Sequence, residues 1–126
     1  NCPVIVKNEY GIDIYDDNVN PIGVHKHMKP VMHQIPLEVG TIVVTYSDGI
    51  QAAGRKRGNA VQFDKMLKII MDNEPEDVDF IAGSLLEYAL ALDEYRAGDD
   101  MTVMVVGVSH READDKIQRM SVSFPC

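Results

Sequence analysis

Two short acidic segments hold the residue types best suited to chemistry. Tyr46-Ser47-Asp48-Gly49 closes one apolar run, and Gly98-Asp99-Asp100-Met101-Thr102 opens another. If these runs are neighbouring antiparallel strands, the end of the first meets the start of the second. Asp48 and Asp99 then approach each other at one rim of the sheet. Like charges so close repel unless a cation compensates. Mg2+ and Mn2+ commonly fill that role, because hard divalent cations take oxygen ligands. Two such ions about 4 Å apart can activate a water and clamp a phosphoryl group for in-line attack. In the structural alternative, Asp48-Gly49 is a turn and Asp99 caps a strand. On spacing alone both readings stand.

Other candidates carry less. Arg55, Lys56 and Arg57 form a basic knot between Gly54 and Gly58. Leaving the sheet near Asp48, they offer a contact for a phosphate or an acidic partner, with a solvated loop as the alternative. No Gly-Lys-Thr/Ser follows, so the glycines make no phosphate-cradling motif. His25, His27 and His33 lack a fourth ligand at zinc spacing, and His110 is expected at the surface. Ser47 lacks the Gly-x-Ser-x-Gly turn of an activated nucleophile. Ser84, beside Gly83, reads as a close-packing position on a helix.

The elements that must position the two acidic segments follow from periodicity. Pro3 to Lys7 and Ile12 to Tyr15 flank a Gly-containing turn and read as a hairpin. Val31 to Ile35, bounded by Pro30 and Pro36, is expected as an edge or broken strand. Thr41 to Tyr46 is β-branched and apolar at almost every position, which predicts a strand buried on both faces. Phe63, Met66, Leu67 and Ile70 share one helical face. Asn73-Glu74-Pro75 stops that helix and starts the next, with Pro75 at a first helical position. Val78, Ile81, Leu85, Tyr88, Ala89 and Leu92 mark the second helix, which Gly98 closes as a C-terminal cap. Met101 to Val108 is a further strand, and Met120 to Phe124 alternates as a last one. The sum is an α+β architecture: helices packed on a largely antiparallel sheet.

Composition bounds the rest. The chain has 126 residues, enough for one domain with its own core. At 45% hydrophobic and 25% charged residues it is no disordered chain. A net charge of −8 repels phosphate backbones and anionic lipid, so nucleic acid is not expected as a partner, membrane surfaces are poor ones, and no membrane insertion by this segment is expected. No apolar stretch reaches the length of a membrane span, and a cytoplasmic location is expected. Cys2 and Cys126, at the extremes, form no disulfide framework and read as reduced thiols. The start at Asn1, two residues ahead of an apolar run, suggests a cut or matured piece.

Gly40-Thr41-Ile42-Val43-Val44-Thr45-Tyr46-Ser47-Asp48-Gly49-Ile50 resembles the segment ending in Y-S/T-D-G of the stage II sporulation protein E phosphatases. That family belongs to the metal-dependent (PPM-type) serine/threonine protein phosphatases. Gly98-Asp99-Asp100-Met101-Thr102-Val103 resembles its D-D-(I/M)-T segment, and the helical spacer between the two is similar as well. The hairpin and the Asn20-Pro21-Ile22-Gly23 loop also resemble what precedes the first motif. The likeness runs from Asn1 to about Val108. It implies an α/β sandwich of antiparallel β-sheets flanked by α-helices, present incompletely: residues 1–108 as the C-terminal half, and 109–126 as a loop and strand extension.

It further implies Asp48 and Asp99 as ligands of Mn2+ or Mg2+, with two ions in the complete domain. Asp100 and Gly49 would support them. Hydrolysis of phosphoserine or phosphothreonine would use a metal-bound water and no side-chain nucleophile. The implied partner is a phosphorylated regulatory protein, such as an anti-sigma-factor antagonist in bacterial signalling, and a homodimer is compatible with this. The family's upstream D-x-x-G-H-G segment has no counterpart here, and Ala52 stands where an acidic residue is common. The 126-residue piece is therefore expected to be inactive alone. The second reading is a non-catalytic interaction module built on the same fold.

Overall fold

Alternation and pairing build the sheet first. The computed structural model describes residues 2–17, 27 and 31–110. Strand β1 (Val4–Asn8) and strand β2 (Gly11–Tyr15) form the expected hairpin around Glu9-Tyr10, with Val4 opposite Tyr15 and Ile5 opposite Ile14. Strand β3 (Ile42–Tyr46) lies antiparallel to β1, with Ile5 opposite Val44. Strand β4 (Val103–Gly107) lies antiparallel to β3, with Tyr46 opposite Val103. The order across the sheet is β2-β1-β3-β4.

Opposed residues share a face, so the register sorts the side chains. Ile5, Ile42, Val44, Tyr46, Val103 and Val105 fall on one face and are buried. They form one cluster with Met66, Ile70, Ile81, Leu85 and Ala89 of the helices. Val4, Val43, Thr45 and Val106 fall on the other face and are only partly buried, and Met104 beside them is exposed. The expectation that the Thr41–Tyr46 run is buried on both faces therefore fails. Helices cover one side of it, and Val43 and Thr45 keep contact with solvent. The two-sheet sandwich is likewise seen through one sheet among the described residues.

Helix α1 (Asp48–Ala52) is a short turn of helix that periodicity did not foresee. Helix α2 (Phe63–Met71) and helix α3 (Val78–Leu92) match the two apolar stripes. Pro75 opens a 3-10 turn, Pro75–Asp77, that leads into α3. There the Glu74 amide donates to Asp77 Oδ2 at 3.0 Å. Lys7 reaches from β1 to the end of α2, donating to the carbonyls of Met71 at 3.1 Å and Asn73 at 2.6 Å. Carbonyls at a helix C-terminus lack intrahelical donors, and a cation suits the dipole there.

Two expectations are corrected. Residues 31–38 adopt no regular strand, and most of that segment is exposed. Val31 to Gln34 are exposed, so the alternation there corresponds to no buried face that would hold a strand against the sheet. Helix α3 ends at Leu92, well before Gly98. Its exit runs instead through Glu94 (φ 51°) and Tyr95 (φ 58°), with the Tyr95 amide donating to the Leu90 carbonyl at 2.8 Å. The Met120–Phe124 strand, Cys126, His25 and the Asn20–Gly23 loop lie outside the described residues. No described helix is long and apolar enough to cross a membrane.

Candidate metal centre

The acidic rim is assembled by β3 and β4. The Ser47 amide continues their ladder, donating to the Thr102 carbonyl at 2.9 Å. Its hydroxyl then takes over. Ser47 Oγ donates to the Asp100 carbonyl at 2.9 Å and accepts from the Thr102 amide at 3.0 Å. With its proton committed to a carbonyl, Ser47 is a fastening and not a nucleophile.

Asp48 begins α1 and is exposed. Gly49, next to it, is buried against the opposing segment. A Cβ on Gly49 would sit 2.2 Å from the Asp100 carbonyl oxygen and 3.5 Å from the Asp99 carbonyl carbon. Only glycine permits that approach. The backbone after Asp48 therefore rests on the backbone joining Asp99 to Asp100, as antiparallel adjacency of the two runs requires. Asp99 and Asp100 are exposed as well. Asp99 Oδ1 accepts from the Asp100 amide at 2.8 Å, which fixes its side chain. Asp100 thus orients Asp99 through its backbone.

The three basic residues part company. Arg55–Arg57 form an exposed 3-10 turn between Gly54 and Gly58. Arg57 pairs with Glu94 at 2.6 Å, and Lys56 lies against Gly98. Arg55 instead lines a cavity of about 290 Å³ with Asp16, Tyr46, Gln51, Phe63 and Met66. Burial pushes the Tyr46 hydroxyl up to about 12, so it stays neutral throughout the physiological range. Burial also raises the Cys2 thiol, and Cys2 Sγ lies 3.6 Å from Gln51 Oε1.

Sequence reasoning missed Asp93. This buried residue follows α3 and receives two backbone donors, Gly54 at 2.9 Å and Gly98 at 3.2 Å. A signal was present. Helix C-termini disfavour acids, so an aspartate just past the last apolar position calls for local donors. His33 contacts Asp17 and lies 4.7 Å, ring to ring, from Tyr15.

The donor set is chemically suited to a hard cation. Asp48 and Asp99 offer exposed carboxylate oxygens on segments in contact, the ligand type that Mn2+ and Mg2+ prefer. Among the described residues no cluster of three or more His, Cys, Asp or Glu side chains suited to a metal occurs. Two carboxylates alone would fill only part of the six-oxygen shell that such an ion prefers.

This four-stranded antiparallel sheet backed by helices is the fold of a known phosphatase domain. Two solved structures of the phosphatase domain of the cell fate determinant SpoIIE from Bacillus subtilis superimpose on it. One, presoaked with Mn, has a TM-score of 0.62 and 22% identity over 89% of this chain. The other has a TM-score of 0.61 and 22% identity over 90% of this chain. The present chain spans about half of each, 49% and 50%. No curated protein sequence matches it. The family model described as Stage II sporulation protein E matches residues 1–109. The chain belongs to the stage II sporulation protein E family.

Proposed function

We propose that this chain supplies the C-terminal, metal-gripping half of a serine/threonine protein phosphatase domain. Family membership and the phosphatase-domain fold support the class of activity. The observation that carries the site is the contact of Gly49 with the Asp99–Asp100 backbone, which brings the carriers of the two carboxylates together.

Asp48 and Asp99 would hold Mn2+ or Mg2+. Such an ion, when bound, supplies an activated water and neutralises phosphoryl charge. Asp100 holds Asp99 in place, and Ser47 keeps the two segments in register. No side chain of the rim is set up as a nucleophile. The substrate class is a phosphoserine or phosphothreonine on a regulatory protein of the anti-sigma-factor antagonist kind. Arg55, on its cavity beside Tyr46, is the basic residue best placed to meet an acidic partner segment.

Asp48→Asn in the full-length protein should cut Mn2+-dependent hydrolysis of a phosphoserine peptide by orders of magnitude while leaving the thermal unfolding curve in place. Full activity of that variant would refute the assignment. The second reading, a non-catalytic interaction module, draws on the two-carboxylate donor set. It would be favoured if the wild-type full-length protein, saturated with Mn2+, hydrolyses no phosphate ester. For the isolated 126-residue piece we expect little or no turnover.

A further inference from the structure

Asp93 is a buried carboxylate that the proposed reaction does not use. Only 8% of the residue is exposed. Its position at the negative end of α3 is electrostatically unfavourable, so its surroundings must supply the compensation. They do so from two separate loops. Oδ1 accepts from the Gly54 amide at 2.9 Å, and Oδ2 accepts from the Gly98 amide at 3.2 Å. The bond from Gly54 is the main cause holding the carboxyl below its ordinary value, against the opposing effect of burial. The Gly98 amide and the charges of Arg57 and Lys56 reinforce it.

The loops so joined are those that carry the acidic rim. Gly54 lies two residues beyond α1, the helix that Asp48 begins. Gly98 immediately precedes Asp99. Their paths leave little freedom. Gly54 has φ +71°, and the place of a Cβ there is taken by the Asn59 carbonyl oxygen at 2.0 Å. On the other loop Glu94 and Tyr95 hold left-handed backbone (φ 51° and 58°), which costs roughly 1 kcal/mol or more for each non-glycine residue. Strain of this kind persists where the surroundings over-determine the backbone, and it concentrates at functional sites. The Arg57–Glu94 pair fastens the same two loops on the solvent side.

We propose that Asp93 is a positioning residue: by gripping the Gly54 and Gly98 amides together, its carboxylate sets the spacing of Asp48 and Asp99, and thereby the affinity of the rim for a divalent cation. It touches neither the ion nor the substrate. The proposal rests on Asp48 and Asp99 being the ligands, and the test separates the two claims.

In the full-length protein, Asp93→Asn keeps the shape of the side chain and one acceptor oxygen. Calorimetric titration with Mn2+ should show binding weakened about 10-fold, the scale on which supporting residues act on metal sites. Asp79→Asn, which removes an equal charge from the exposed start of the same helix, should bind as wild type. Asp48→Asn should abolish binding. If Asp48→Asn binds normally, the metal assignment fails and takes the proposal with it. If Asp48→Asn loses the ion while Asp93→Asn keeps wild-type affinity, the positioning role alone is overturned.

A measurement on the unmutated protein guards against a variant that does not fold. Coupling between sites is reciprocal. Saturation with Mg2+ should therefore slow hydrogen exchange of the Gly54 and Gly98 amides by several-fold. Gly98 adjoins Asp99 and responds to the ion directly, so the Gly54 amide decides: unchanged exchange there would overturn the proposal.

Discussion

The β3–β4 ribbon is closed at both ends, by different means. At the far end the Gly40 amide donates to the Val108 carbonyl, and the Val108 amide to the Thr41 carbonyl, each at 2.8 Å. Both bonds are backbone to backbone and no side chain makes them, although Gly40 takes a left-handed φ of 96° and a Cβ on Gly107 would sit 2.0 Å from the Pro75 carbonyl oxygen. At the acidic end a single ladder bond, Ser47 to Thr102, is followed by the two bonds of the Ser47 hydroxyl, by the Gly49 contact and by the Asp93 grip. Here side chains, the Ser47 hydroxyl and the Asp93 carboxylate, make bonds that backbone alone makes at the far end. The difference has a physical source. The acidic end carries three exposed aspartates, Asp48, Asp99 and Asp100, on segments in contact, and the far end carries none.

That contrast can be broken experimentally, and the largest effect belongs to Gly49. Gly49→Ala forces its methyl into a backbone carbonyl and should cost about 3 kcal/mol of stability, read from the urea midpoint. A loss under about 0.5 kcal/mol would mean that the segments part freely. Next comes Ser47→Ala, which leaves the Thr102 amide without its acceptor and should cost about 1–2 kcal/mol. Val39→Ala, at an exposed position of the far end, should stay within about 0.5 kcal/mol. Equal costs at the two ends would erase the distinction.

The last effect is read from its loss in acid. The folded Asp93 carboxyl titrates below its ordinary 3.8. Its contribution is complete above the unfolded value and is lost as pH falls through the lower folded one. The Tm difference between wild type and Asp93→Asn should therefore be constant near neutrality and shrink below about pH 4. A difference that persists undiminished to about pH 2 would sever the carboxylate's charge from its grip.

Much of this was legible in the residues. The hairpin, the stripes of α2 and α3 and the pairing of two apolar runs follow from periodicity, because burial against one neighbour imprints a period. The meeting of the Asp48 and Asp99 segments followed from antiparallel adjacency. What escaped reading depends on three-dimensional partners. The Ser47 hydroxyl answers to a carbonyl 53 positions away, and Asp93 to amides on two separate loops. Gly98 looked like a helix cap, whereas α3 turns on Glu94 and Tyr95, which composition gives no reason to place in left-handed backbone. Val31 to Ile35 resembled a strand by alternation but stays mostly exposed, with no buried face to hold it in a sheet.

Gly49 has a further consequence. Its requirement is mechanical: the room beside Asp100 is too small for a methyl group whatever the neighbouring carboxylates do. On the proposed assignment, a relative without hydrolytic activity could exchange Asp48 freely yet would still need its glycine. The glycine is thus a witness to architecture alone, and its presence in a sequence says nothing of whether the acid beside it is at work.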